Sequence, residues 1–373
     1  MPRPTWAEVN LDAIRANLAA LRRLLAPGVK VLGVVKADGY GHGLVPVARA
    51  LESAGADMLG VVLVEEGVRL REAGVALPIL MMGTLPEDEI DTLLAHDLRP
   101  TVGDAETLER LSAAARAAGK PVAVHLKVDT GMNRLGVRAE EAAGVAEAVA
   151  ALKPLRLEGV YTHFACADTP GDAATPEQLN RFRAVLAELG RRGVQVGTVH
   201  AANSSALTTM PETHFDMVRP GLALYGALAC RTPDGLGLRP ALALCSRVAH
   251  LKRVPRGEGV SYGHTWRAER DSVIGLLPIG YGDGYPRALS NKGQVRAGEE
   301  PQAPLCPVVG RVCMDATLVD LTDVPDARVG LAATLIEADA DSPISVAAVA
   351  RLAGTIPYEI LTGIGARVPR RYI

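Results

Sequence analysis

A lysine at the end of an apolar run is the residue best placed in this chain to do chemistry. Lys36 closes Val31-Leu32-Gly33-Val34-Val35 and is followed by Ala37-Asp38-Gly39-Tyr40-Gly41-His42-Gly43. An amine emerging from a dry interior is desolvated, which disfavours the ammonium form and lowers its pKa. The neutral amine can then attack an aldehyde to form a Schiff base. An ion pair with Asp38 is the competing reading. It is weakened by Gly39, because neighbours i and i+2 share a face only while a strand continues and this glycine announces a turn.

Other segments supply parts that such an amine would need. Asn203-Ser204-Ser205 reads as a helix start, and Arg219-Pro220-Gly221 pairs a cation with a glycine that permits close backbone approach. Together they offer N–H groups, hydroxyls and charge to an anion. Lys127-Val128-Asp129-Thr130-Gly131-Met132-Asn133-Arg134, His163 and His200 fall at the ends of further apolar runs. Only 3% of the chain is aromatic, so the placement of its eight tyrosines is informative. Tyr40, Tyr262 and Tyr281 lie beside glycines that can expose a phenol, whereas Tyr161, Tyr285 and Tyr372 read as structural. No GxGxxG in a βαβ setting and no GxxxxGK[ST] occurs, and Gly280-Tyr281-Gly282-Asp283-Gly284 reads as a turn-rich loop.

Positioning these residues requires a scaffold, and the pattern supplies one. Eight β-rich runs are expected at 30–36, 57–64, 78–83, 98–102, 122–128, 157–163, 194–200 and 214–220. Helical segments such as 11–25, 43–54, 104–118 and 175–192 lie between them, with Asp104 and Thr175 as expected N-caps. Eight βα units over residues 10–232 predict a (β/α)₈ barrel with its chemistry on the C-terminal face, where all the segments above would gather. The Gly/Pro-rich stretch 230–240 reads as a linker, and 240–373 as a mostly β domain with one helix near 345–353. Residues 1–9 add an edge strand to that domain in this reading.

Composition excludes several classes. A formal charge of −2 gives no basic footprint for nucleic acid or anionic membrane. No stretch approaches 18 apolar residues without a charge, which argues against a membrane span. The N-terminus lacks an apolar signal core, and five scattered cysteines, at 166, 230, 245, 306 and 313, read as free thiols of a reducing cytoplasm rather than a metal site.

In order and spacing, VVKADGYGHG, KVDTGMNRLG, THFACAD, HAANSSA, VRPGLALYG, SYGHTW, PIGYGDGY, GRVCMD and IPYEILTGIGARVPR resemble the alanine racemase family over Thr5 to Pro369. The resemblance implies pyridoxal phosphate as cofactor, alanine as substrate and a homodimer with shared sites. It implies that Lys36 holds the cofactor and acts as one base, with Tyr262 of the other subunit as the opposite base. Tyr40, Asn203, Ser204, Gly221 and Tyr358 then match cofactor contacts, mostly to phosphate, and Arg219 matches the partner of the pyridine nitrogen. His163 and His200 match a relay from the tyrosine to that arginine. Arg134 and the Met314 backbone match the substrate-carboxylate site. Lys127, carbamylated in relatives, would orient Arg134; Tyr281 and Tyr358 match an inner gate, with Asp315 supporting. The usual family role supplies D-alanine for peptidoglycan.

Arg219 separates this resemblance from the nearest alternative. Barrel-type decarboxylases carry a glutamate before Pro-Gly and Cys-Asp-Gly where this chain has Cys313-Met314-Asp315. A non-catalytic pyridoxal-phosphate protein would resemble the barrel alone. Gly39 and Ala316 depart from the common alanine and glutamine, with consequences for side-chain preference only.

Overall fold

In the computed structural model, which describes residues 3–228, 235–300 and 302–373, eight short parallel strands close into a ring. They are Lys30–Val34, Met58–Val61, Ile79–Met81, Arg99–Val102, Val122–Asp129, Leu155–Tyr161, Thr198–His200 and Met217–Val218. Each pairs in parallel with the next, and the eighth returns to the first. All eight coincide with the expected runs, and the result is a (β/α)₈ barrel. Met58–Val61 and Ile79–Met81 are buried at every position, as strands covered by helices on one face and packed side chains on the other must be.

The connecting helices begin where the polar chemistry allows. Asn10 accepts from Ala13 N at 2.8 Å to start Leu11–Arg22, whose Ile14, Leu18 and Leu21 face the core. Asp104 caps Ala105–Ala118 through Thr107 N, as expected. Thr175 does not cap its helix. Asp172 accepts from Ala174 N at 2.7 Å, so that helix, Ala174–Arg191, opens earlier and buries Thr175 in its first turn. Asn203 caps Ser204–Thr209 through Ala206 N.

The C-terminal region is mostly β. A six-stranded sheet contains Leu242–Arg247, Gln294–Ala297, Leu305–Pro307, Ala332–Ile336 and Arg370–Tyr372, joined by the N-terminal Thr5–Val9. This last strand is interior, not the expected edge. It pairs antiparallel with Leu242–Arg247 and parallel with Arg370–Tyr372, and its nearly complete burial accounts for that position. Besides the expected helix, Val346–Ala353, a second helix occupies Pro357–Gly363, started by a proline in its first turn. The expected linker is described only from residue 235 onward; its first part and Cys230 lie outside the described residues. The other four cysteines form no disulfide, and no described helix is long and apolar enough to cross a membrane.

Asn17 ties the first barrel helix to the exit from the barrel. Its fully buried amide donates to Leu224 O (3.0 Å) and Arg239 O (2.8 Å) and accepts from Arg239 N (2.7 Å). Asn17→Leu strands three backbone groups without partners and should lower unfolding free energy by roughly 3 kcal/mol in urea denaturation. An unchanged midpoint would show that those groups find other partners.

Candidate active site

Lys36 stands where the first barrel strand gives way to a left-handed turn. Backbone φ is positive at Ala37 (52°), Asp38 (53°), Gly39 (60°), Tyr40 (52°) and Gly41 (79°). Three of these residues carry side chains, and each pays roughly 1–2 kcal/mol for that conformation. The turn directs Lys36 and Tyr40 differently from a continuing strand. Asp38 faces away: its Oδ1 accepts from Leu44 N at 3.0 Å and lies 3.7 Å from Arg69. Burial lowers the Lys36 pKa, the Arg134 charge lowers it further, and the Glu66 carboxylate opposes both.

Tyr40 belongs to a cradle made by several segments. Its ring stacks on Tyr225 at 4.8 Å and lies 5.9 Å from Tyr358, which the second C-terminal helix supplies. Ser204 Oγ accepts from Gly221 N (2.9 Å) and Ala223 N (3.2 Å), which leaves its own proton to donate. A Cβ on Gly221 would sit 2.5 Å from the Tyr40 hydroxyl, so only glycine fits there. Burial raises the Tyr40 pKa, keeping the phenol protonated as a donor. A hydroxyl and backbone N–H groups after strands seven and eight, with a phenol from after strand one, are donors of the kind that can hold an anion. Asn203 contributes by capping the helix that carries Ser204.

Arg219 is the buried cation beside it. Nη1 lies 3.0 Å from His200 Nδ1; Nη2 donates to Thr162 O (2.7 Å) and Ala201 O (2.9 Å) and lies 3.3 Å from His163 Nδ1. None of these bonds uses Nε. Burial draws the guanidinium pKa down to about 10, so it stays charged at neutral pH. Burial and the Arg219 charge hold both histidines well below the usual imidazole range. Each neutral ring therefore accepts at Nδ1 and carries its proton on Nε2.

The two histidines do not form one relay on the same side of Arg219. His163 lies in the loop beyond strand six, while His200 ends strand seven and turns into the barrel, so the guanidinium stands between them. From His200 a chain continues inward: Nε2 meets His125 Nδ1 at 2.8 Å, and His125 Nε2 lies 3.4 Å from Glu158 Oε2, off the line of a good hydrogen bond. Burial would raise the Glu158 pKa, but His125, Arg99 and Arg156 outweigh it and hold the carboxyl at about 2. Tyr161 is also part of the site. Its ring stacks on His200 at 4.7 Å and lies 5.2 Å from Arg219 and 5.5 Å from Lys127 Nζ. Neither Tyr161 nor His125 was expected to serve the site; the signal available was their spacing, His125 two residues before Lys127 and Tyr161 two residues before His163.

Lys127 is buried, and desolvation with the charges of Arg134 and Arg219 lowers its pKa to about 8. Asp129 Oδ1 accepts from Gly131, Met132 and Asn133 N and so builds the turn that presents Arg134 to the same pocket. Lys36, Lys127, Arg134, His163 and Arg219 thus share one electropositive basin.

Tyr262, Tyr281, Met314 and Asp315 come together elsewhere, on the C-terminal domain. Tyr281 N donates to Cys313 O (3.0 Å) and Gly282 N to Met314 O (2.9 Å), while Ser261 Oγ donates to Arg311 O (2.7 Å). Asp315 pairs with Arg367. Tyr262 is 70% exposed, Met314 53% and Tyr281 43%, and no described contact joins them to Lys36. Within one chain the Tyr262 phenol does not meet the lysine.

Two family descriptions match in succession: alanine racemase, N-terminal domain, over residues 9–229, and alanine racemase, C-terminal domain, over 241–372. The chain belongs to the alanine racemase family. It is 44% identical to the alanine racemase of Halothermothrix orenii, covering 99% of this chain and 97% of that one. The crystal structure of alanine racemase from D-cycloserine-producing Streptomyces lavendulae superposes with a TM-score of 0.93 at 41% identity, over 100% of this chain and 98% of that one. The Clostridium difficile alanine racemase in complex with cycloserine gives 0.91 at 35% identity, covering 100% and 96%.

Gly221→Ala should push the Tyr40 hydroxyl aside and weaken inorganic phosphate binding about tenfold, roughly 1.4 kcal/mol, in titration calorimetry of the ligand-free protein. Unchanged affinity would mean that the cradle is not the anion site.

Proposed function

We propose that this protein interconverts L- and D-alanine with pyridoxal phosphate, using Lys36 and Tyr262 as bases on opposite faces of the substrate. The observation that carries this reading is the setting of Arg219: a buried guanidinium whose terminal nitrogens are engaged by histidines and carbonyls while Nε takes no part. Such a group faces a pyridine nitrogen as a donor and keeps its proton. The donor set also fits the rest of the cofactor. Ser204, Tyr40, Tyr358 and the Gly221 backbone would hold its phosphate, Asn203 would brace that cradle, and Lys36 Nζ would hold its aldehyde.

When bound, pyridoxal phosphate supplies a conjugated ring that withdraws electrons from the amino acid's Cα. Arg219 keeps its own proton, so it would offer a pyridine nitrogen a hydrogen bond without protonating it, which would temper the ring's electron withdrawal and favour return of a proton to Cα. Lys36 Nζ takes or gives that proton on one face and Tyr262 Oη on the other. Burial and the Arg134 charge lower the Lys36 pKa, which favours the neutral amine that can accept a proton. His163, carrying its proton on Nε2, links Arg219 toward the opposite base. Arg134 and Met314 N would grip the substrate carboxylate, with Tyr281 and Tyr358 narrowing the entrance and Asp315 bracing the Met314 loop through Arg367.

Tyr262 reaches the reaction only from a second subunit, which makes the homodimer part of the reading. Tyr262, Tyr281 and Met314 are large apolar side chains left exposed in the single chain, as residues that a partner covers would be. Cytoplasmic supply of D-alanine for peptidoglycan belongs to the same proposal, and four unpaired cysteines suit a reducing compartment.

Incubation with L-alanine in D₂O, followed by chiral analysis, should give D-alanine deuterated at Cα. Release of CO₂ without inversion would instead favour the decarboxylase alternative. Inactive Lys36→Ala and Tyr262→Phe proteins, once mixed and shown to exchange subunits, should regain activity through one intact site per hybrid dimer; no recovery would contradict catalysis across subunits. Lys127 adds a pH-dependent expectation. Its neutral amine attacks CO₂ to give a carbamate and a proton, and with a pKa near 8 the neutral fraction grows as pH rises through that value. In ¹³C-bicarbonate, a carbamate resonance should strengthen with pH and vanish in Lys127→Ala; its persistence in that variant would place the carbamate elsewhere.

A further inference from the structure

The left-handed turn after Lys36 is held from outside by a single carboxylate. Glu66 is 7% exposed and lies in the first turn of the helix Val64–Glu72 that follows strand two. Its Oε1 accepts from Ala37 N at 2.6 Å, and its Oε2 accepts from Val62 N at 3.0 Å and Leu63 N at 3.2 Å. Among the described residues no lysine or arginine pairs with it, so the charge is solvated by backbone N–H groups. Two of those belong to the start of its own helix, where a glutamate reaching back to the N-cap is common. The third is not local. It belongs to the first residue of the turn, 29 positions away in the chain.

We propose that Glu66 is a positioning residue for Lys36 and Tyr40, fixing the left-handed turn that aims both into the site. Lys36 immediately precedes Ala37, and Tyr40 ends the run of side-chain-bearing residues at positive φ. Were the turn to relax to ordinary φ, the lysine would leave the mouth of the barrel and the phenol would leave the Gly221 contact. One helix turn further on, Arg69 lies 3.7 Å from Asp38, a second and more exposed brace from the same helix. The chemistry requires glutamate in particular. Glutamine has one acceptor oxygen and would turn its NH₂ toward N–H groups, and aspartate is a methylene too short to span from Val62 to Ala37.

The same carboxylate is, among the described residues, the negative charge that raises the Lys36 pKa. Arg134 and Lys127, from strand five and its loop, and His163, from beyond strand six, also interact electrostatically with the amine. Arg134 pulls the lysine pKa down while Glu66 pushes it up, so removing the Glu66 charge should lower it further. This inference rests on the reading of Lys36 as the reactive lysine, but its test does not use the reaction.

Two measurements on the full-length, cofactor-free protein decide it. Hydrogen exchange read by mass spectrometry over residues 36–43 should speed up about tenfold in Glu66→Gln, the loss expected for one charge-assisted hydrogen bond. Competitive acetylation of Lys36 against pH should show its midpoint moving to lower pH in that variant. In Glu66→Asp, whose shorter side chain cannot reach Ala37 N, the exchange over 36–43 should likewise rise. Exchange over 36–43 unchanged in Glu66→Gln, or in Glu66→Asp where the glutamine variant does not fold, overturns the proposal. Should Lys36 fail to bind an aldehyde cofactor, the functional reading falls and these outcomes stand.

Discussion

Arg219 brings a positive charge into the mouth of the barrel, and among the described residues no carboxylate touches it. A buried, unpaired charge is expensive, so the surrounding groups must solvate it. Two backbone carbonyls and two imidazole nitrogens do so, and the Tyr161 ring lies 5.2 Å away. The consequence is a fixed order of protons. Both histidines must be neutral and must accept at Nδ1, which leaves Nε2–H of His163 pointing onward and Nε2–H of His200 pointing into the barrel. There it meets His125, and beyond that lies Glu158, held ionised by its cationic neighbours. The nearest full negative charge on that path is thus kept two imidazoles away, and the guanidinium field reaches the pocket largely unneutralised.

That field explains why the other polar groups have the character they do. With Arg134 and Arg219 nearby, Lys127 falls to about 8, and Lys36 is lowered by burial and the Arg134 charge. An electropositive basin of this kind favours an anionic phosphate and a substrate carboxylate, and it keeps amines ready to act as nucleophiles or bases. The opposing influence on Lys36 comes from Glu66, whose hydrogen bond to Ala37 N joins the electrostatics to the backbone geometry.

Much of the barrel could be read from the chain because its strands are covered on both sides and appear as β-rich, largely apolar runs at regular spacing. Lys36, Lys127, His163, His200 and Arg219 stood out because they end such runs, and the structure gathers them. Other features depend on tertiary partners that no local pattern reveals. Thr5–Val9 resembles an edge strand until Arg370–Tyr372, from the opposite end of the chain, pairs with it. Thr175 resembles a cap, but Asp172 reaches the helix first. Tyr161 looks structural in an apolar run, although its ring stacks on His200 and lies near Arg219 and Lys127. The position of His200 on the barrel side of Arg219, away from His163, depends on which way a strand-end side chain turns. Tyr262 is legible as a reactive phenol, yet its distance from Lys36 in a single chain becomes apparent only once both domains are in place.

The central claim is that Lys36 is the amine that holds the aldehyde cofactor. Borohydride reduction of the protein with pyridoxal phosphate, followed by peptide mapping, tests it most directly. The account predicts a single phosphopyridoxyl group on the peptide that contains Lys36, absent in Lys36→Ala. A stable label on Lys127 or any other lysine, with Lys36 unmodified, would contradict it.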